Sequence, residues 1–135
     1  MTTERDELRK VFFEAWRKYQ LRSPIEPLES QLINIILLHP EYHALLSQPD
    51  NLQVENFNET NPFLHMSLHL AIREQVATNR PPGIQQIHQH LCEQFNDVHN
   101  AEHHMMECLA DILWHAQQSG KMPDEQVYLE RLKKL

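Results

Sequence analysis

The sequence predicts an all-α fold, a compact single-domain bundle of about six to seven helices. With 135 residues the chain is the size of one ordinary domain, so residues 1–135 are expected to form a single helical domain around one core. Only 2 glycines stand against 8 prolines, and no run alternates Val, Ile and Thr, which disfavours strands and hairpin turns. Apolar residues instead recur at helical spacing, which indicates helices joined by short connections.

The first two helices are predicted from their starts and their apolar periods. Thr3 is a suitable N-cap for a helix whose apolar residues recur from Leu8 to Tyr19 and that ends near Ser23-Pro24. A second helix is predicted from Pro27 to Leu38, with proline in its first turn. Its nearly all-apolar segment LINIILL predicts burial on more than one side, as in a central helix.

Proline also divides the next part of the chain. Because a proline disfavours helical geometry in the residue before it, His39-Pro40 is expected to end the second helix. Pro40 then starts a short helix that runs through Leu46. Residues 47–60 are rich in Asn, Gln and acids without an apolar period, and are predicted to form the longest loop.

Four further helices are predicted in the second half. Asn61-Pro62 is a strong helix start, and this helix is expected to continue to about Thr78, where the segment NRPPG stops it. A fifth helix follows over residues 84–95 and a sixth over residues 101–118. Gly120 is a plausible C-terminal cap, and Pro123 is predicted to open the last helix.

Charge and cysteine content exclude several classes of protein. The formal net charge of -7 argues against a nucleic-acid partner, which requires clustered Lys and Arg. A charged N-terminus argues against a secretory signal, and the apolar run of residues 32–38 is too short to span a bilayer, so a cytoplasmic protein without a membrane partner is expected. Cys92 and Cys108 lack metal-ligand or disulfide spacing and are interpreted as reduced packing residues.

The preferred candidate site is a stripe on the fourth helix. His65 and His69 are four residues apart among apolar neighbours, and Arg73 continues their row one turn further on. They are explained either as structural histidines bonded to backbone or water, or as ligand residues. Two imidazoles and a guanidinium can hold a phosphate or carboxylate, whereas two neutral imidazoles can hold a divalent metal. Arg73 favours the anion, because its charge repels a cation.

An alternative metal site adds residues of the sixth helix. That helix carries polar residues on one side, which favours a solvated face but also contains possible ligands: His103, His104, Glu107, Asp111 and His115. The spacings of His65 with His69 and of His103 with Glu107 resemble the ligand pairs of hemerythrin-like bundles, although the Glu-x-x-His pair of ferritin-like di-iron sites is absent. Under this alternative, iron or zinc is bound by His65, His69, His103, Glu107 and Asp111.

A second compact group of histidines is HPEYH, from His39 to His43. Its predicted role is local, because His39 lies at or near a helix cap and Tyr42 packs with its hydroxyl at the surface. Convergence of His39 and His43 with His65 and His69 would create a site of four imidazoles, which would favour a metal.

Catalytic signatures are missing from the sequence. It has no G-x-S-x-G elbow, and with only Gly83 and Gly120 it has no glycine-rich phosphate loop. We therefore expect a binding or interaction role rather than an enzyme, with a protein partner or a homodimer as a further hypothesis. The sequence leaves the cofactor undetermined, with a divalent metal as the alternative to an anion.

The segments HPEYHALL, NPFLHMSLHLAIREQ, NRPPGI and CLADILWHAQ together resemble a bacterial family called domain of unknown function 1841, found largely in proteobacteria. The strongest segment is residues 61–84, and the similarity covers most of the chain. The resemblance implies a bacterial cytosolic protein and supplies no activity and no site residues.

Overall fold

A computed structural model describes residues 4–47 and 62–135. The chain forms two compact units, divided between Leu70 and Ala71. The described residues contain seven α-helices, one short 3-10 helix and no strand, which confirms the all-α prediction. No helix in these two ranges combines the length and the apolar character needed to cross a bilayer. The predicted Thr3 cap, the Asn61 cap and the loop over residues 48–60 lie outside the described residues.

The first unit contains three helices, a 3-10 turn and the beginning of a fourth helix. These are α1 (Glu4–Gln20), α2 (Pro27–Leu37), the 3-10 turn (Pro40–Tyr42), α3 (His43–Leu46) and the first part of α4 (Pro62–Thr78). A capping box starts α2, since Glu26 and Glu29 each accept from the other's backbone N–H. The predicted short helix is present, but its first three residues adopt 3-10 rather than α geometry.

The core of the first unit is built from α1, α2, α3 and α4. Phe63 packs against Phe12 and Phe13, with ring centroids 6.0 and 5.7 Å apart. Helix α2 buries four apolar residues over one broad face, while Leu37 and Leu38 at its end are 42% and 38% exposed. The apolar run predicted to be central is thus buried along most of its length and open at its C-terminal end. Because α2 is held in the core by these side chains, the position of His39, which follows its C-terminal end, is also fixed.

The second unit contains the rest of α4, together with α5 (Ile84–Phe95), α6 (Val98–Ser119) and α7 (Glu125–Lys133). Helices α5, α6 and α7 pack against one another around buried apolar side chains, among them Ile84, Leu91, Met105, Leu109 and Leu132. Burial of such side chains is the main stabilising contribution in a helical unit.

Two predicted helix starts in the second unit are corrected by their caps. Helix α6 begins at Val98 rather than near Ala101, because the Asp97 side chain accepts from the backbone N–H of His99 at 3.1 Å. Helix α7 begins at Glu125 rather than Pro123, because Asp124 accepts from the backbone of the second and third residues of the helix. Gly120 adopts the left-handed conformation at the end of α6, with a φ of 70°, as predicted for a C-terminal cap.

Candidate metal-binding site

The candidate site begins at the turn that ends α2. His39 is the N-cap of the 3-10 turn, and the backbone N–H of Tyr42 donates to its carbonyl at 2.9 Å. Pro40 fixes the first turn residue and cannot continue α2. The His39 side chain is therefore held at the end of a buried helix, where it is only 3% exposed.

The rings of His39, His65 and His69 converge in the first unit and are called the imidazole cluster here. The His39 ring lies edge-on to the other two, with centroids 4.7 Å from His65 and 5.7 Å from His69. The rings of His65 and His69 are 6.4 Å apart and perpendicular, one turn from each other on α4. The sequence predicted the pair on α4, and the structure adds His39 from the turn after α2.

The imidazole cluster has the donor atoms of a transition-metal site. Each ring offers one nitrogen, and these nitrogens all lie within 4.8 Å of one another. Nitrogen ligands around a tetrahedral ion stand about 3.3 Å apart, because each metal–nitrogen bond is about 2.0 Å long. Because the 4.8 Å limit exceeds that spacing, binding of an ion would draw the three nitrogens closer together. His69 is fully buried and His65 is half-buried, so an ion here would be largely shielded from water.

Two further residues of the turn contact the His39 ring. The Glu41 carboxylate lies 3.5 Å from Nδ1 of His39, and the Tyr42 ring stacks on His39 with centroids 5.1 Å apart. Burial opposes the charge of Glu41, but its backbone N–H and the two nearby imidazoles outweigh this and lower the pKa of the carboxyl. Burial, reinforced by Glu41, raises the pKa of the Tyr42 phenol. The turn therefore holds a carboxylate and a neutral phenol beside one ring of the cluster.

His43, the other histidine of this segment, has a different environment. Its Nε2 lies 2.9 Å from the carbonyl oxygen of Ile36, and its ring centroid is 4.5 Å from that of Trp16. A ring nitrogen that donates to this carbonyl satisfies one of the last backbone acceptors of α2. The predicted position of His39 at a helix cap is confirmed, and its ring also belongs to the imidazole cluster, whereas His43 contacts the end of α2 and Trp16.

Arg73, the third residue of the predicted anion stripe, belongs to a buried ion network in the second unit. Its Nε lies 3.4 Å from one carboxylate oxygen of Glu102, and Nε2 of His88 lies 3.1 Å from the other. Glu102 is almost fully buried. These three residues are called the carboxylate network here. Glu102 was not predicted from the sequence, although it lies three and four residues before the buried Met105 and Met106 and so shares their face of α6.

The other sequence-predicted residues on α6 have varied surroundings. His103 is half-buried, with its ring centroid 4.1 Å from that of His99. Glu107 is exposed. Asp111 forms an ion pair with Arg131 and lies 3.3 Å from Nε2 of His115. Of the α6 carboxylates in the alternative metal set, Glu107 is therefore solvated and Asp111 is in contact with Arg131 and His115.

Both cysteines are free thiols, as predicted. Burial, followed by the negative charge of Glu102, raises the pKa of Cys92, and burial raises the pKa of Cys108. Sγ of Cys92 lies 3.6 Å from Nε2 of His88, the same nitrogen that contacts Glu102. Sγ also lies 3.9 Å from Nδ1, the other ring nitrogen of His88. Burial thus disfavours the thiolate, the nucleophilic form, at both cysteines.

The sequence model of the family described as "Domain of unknown function (DUF1841)" matches residues 4–134. The chain belongs to this family. No curated protein and no solved structure matches it.

Proposed function

We propose that this protein binds a divalent transition-metal ion through His39, His65 and His69. The convergence of three imidazoles, with ring nitrogens within 4.8 Å of one another, carries the proposal. Neutral imidazole is the commonest protein nitrogen ligand and suits zinc, copper, iron and nickel. Calcium and magnesium prefer oxygen ligands, so the chemistry of this cluster favours the transition metals.

The surroundings of Arg73 favour a metal over an anion. An anion held by the stripe of His65, His69 and Arg73 would depend on the guanidinium for positive charge. That charge faces the buried carboxylate of Glu102 at 3.4 Å, which compensates it. Neutral imidazoles attract a metal ion through nitrogen lone pairs and need no free positive charge.

A fourth ligand completes most structural metal sites. The proposal assigns the three imidazoles of the first unit as ligands, and a water molecule can take the fourth position. Glu107 is exposed and Asp111 is engaged by Arg131 and His115, so we do not retain them as ligands.

Elemental analysis of untagged protein, purified without chelator, tests the proposal. We expect about one zinc, iron, copper or nickel ion per chain in the wild type and its loss in the double variant His65→Ala, His69→Ala. The matched control is His90→Ala, His115→Ala, which removes two exposed histidines from the second unit and should keep the metal. Circular dichroism of each variant verifies that its helices are retained.

Titration of metal-free protein with cobalt(II) gives a second readout. Saturable binding with the visible absorption of tetrahedral cobalt is expected, and its loss is expected in His39→Ala. A wild type that takes up no zinc or cobalt, or a double variant that binds as well as the wild type, would overturn the proposal. That result would favour the anion stripe or a protein partner instead.

A further inference from the structure

We infer that Glu41 is a positioning residue for this metal site, fixing which nitrogen of His39 binds the ion. The inference rests on the proposed function and adds a residue outside the coordinating set. Neutral imidazole carries its proton on one nitrogen and a lone pair on the other, so a ligand ring must have its proton on the nitrogen that faces away from the metal.

The geometry of the turn places the carboxylate at one particular nitrogen. Oε2 of Glu41 lies 3.5 Å from Nδ1 of His39, two residues away along the chain. A carboxylate accepts and does not donate when it is ionised, so it favours the proton on Nδ1. The lone pair is then on Nε2, which becomes the nitrogen available to a metal ion.

The rest of the turn limits how far the His39 ring can rotate. The Tyr42 ring stacks on it with an interplanar angle of 16°, and His65 lies edge-on at 84°. Pro40 and the hydrogen bond from the backbone N–H of Tyr42 to the His39 carbonyl fix the backbone between the ring and the carboxylate. Glu41 therefore acts on a ring whose plane is already defined, and its effect is on the position of the proton.

Metal-ligating histidines commonly donate their second ring N–H to a carboxylate, and removal of that partner weakens metal affinity by about 10- to 100-fold. We expect Glu41→Ala to weaken zinc binding by about tenfold while leaving one ion per chain at saturation. Glu41→Gln retains an oxygen acceptor and should weaken binding less. Glu14→Ala, which removes an exposed carboxylate from α1 of the same unit, is the charge-matched control and should bind zinc like the wild type.

A measurement without metal tests Glu41 separately. Long-range proton–nitrogen NMR spectra of metal-free protein distinguish the two neutral forms of an imidazole, and the His39 signals are assigned by their loss in His39→Ala. The proton is expected on Nδ1 in the wild type and on Nε2 in Glu41→Ala. A proton on Nε2 in the wild type, or no change in Glu41→Ala, would overturn the role of Glu41.

The two proposals fail in different ways. If the protein binds no metal, the NMR experiment still shows whether Glu41 controls the His39 proton. If metal binds but Glu41→Ala has wild-type affinity for zinc, the metal site stands and the positioning role is wrong.

Discussion

The imidazole cluster of the first unit and the carboxylate network of the second are both largely buried polar groups, but they differ in charge. Glu102 is flanked by a guanidinium and an imidazole, so a negative group meets donors that compensate it. The imidazole cluster brings together three side chains of one type, with the carboxylate of Glu41 at its edge. Compensated charges are typical of a network that stabilises a fold, whereas repeated donor atoms of one kind are typical of a ligand set.

Among the variants that test this difference, Glu102→Ala is expected to have the largest effect on the free energy of unfolding. Removing the carboxylate leaves Arg73 without its compensating charge and His88 without its hydrogen-bond partner, and breaking a buried pair in this way costs about 3 kcal/mol or more. Because the Arg73 side chain is 34% exposed, we expect the lower end, about 3 kcal/mol in the free energy of unfolding measured with urea.

Glu107→Ala is the control for that measurement, since it removes an exposed carboxylate from the same helix. Its cost should stay within about 0.5 kcal/mol. Equal stability of the two variants would show that the carboxylate network does not stabilise the second unit. The proposed difference in role between this network and the imidazole cluster would then be wrong.

A smaller effect is expected at the start of α5, the helix that carries His88. Asn79 has a φ of 52°, and its side-chain oxygen accepts from the backbone N–H groups of Gly83 and Gln85, both at 3.2 Å. Asn79→Ala removes both bonds and places a less tolerant residue in the left-handed region, so a loss of about 1–2 kcal/mol is expected in thermal unfolding.

Asn79→Gly separates the two contributions, because glycine adopts a positive φ without strain but cannot accept the hydrogen bonds. It should lose less stability than Asn79→Ala. If the glycine variant is the less stable of the two, backbone strain is not part of the effect.

The smallest effect on stability is expected at Glu29 in the first unit, where neighbouring groups compensate the carboxylate charge. Its carboxylate accepts from the backbone N–H of Glu26 at 2.9 Å and from Lys18 at 3.2 Å, and these contacts lower its pKa. Since the pKa is lower in the folded than in the unfolded state, the stabilisation is present above the unfolded value of about 4.3 and is lost as the pH falls through the folded value.

Glu29→Gln should therefore lower the melting temperature at pH 7, and the difference from the wild type should shrink at acidic pH. Glu93→Gln, an exposed carboxylate on α5, is the control. A difference that is independent of pH would indicate that the glutamine disturbs the start of α2 sterically rather than through charge.

Most of the fold could be predicted from the sequence, because helical periods and prolines are local signals. The range of α4 was predicted from its apolar period and Pro62, and the structure has the same bounds. The starts of α6 and α7 were wrong because the caps Asp97 and Asp124 were overlooked, although both residue types are strong N-caps.

The candidate site was less accessible to sequence analysis. The pair on α4 is a property of one helix and could be predicted, but the approach of His39 depends on how α2 packs in the core. Glu102 could have been predicted to be buried, because its spacing to Met105, Met106 and Leu109 places all four residues on one face of α6. The candidate residues predicted on α6 all lie on its polar side, whereas Glu102 lies on the buried, apolar side.

The two tryptophans give each unit a fluorophore in a contrasting environment. Trp16 is 6% exposed in the core of the first unit, with its indole N–H donating to Ser47 at 3.2 Å, whereas Trp114 of the second unit is 56% exposed. Emission from a buried indole shifts to longer wavelength when water reaches it, so a Trp114→Phe protein would report the melting of the first unit alone. Comparing that optical transition with the loss of helix in circular dichroism measures whether both units melt together, as the single domain predicted from the sequence requires.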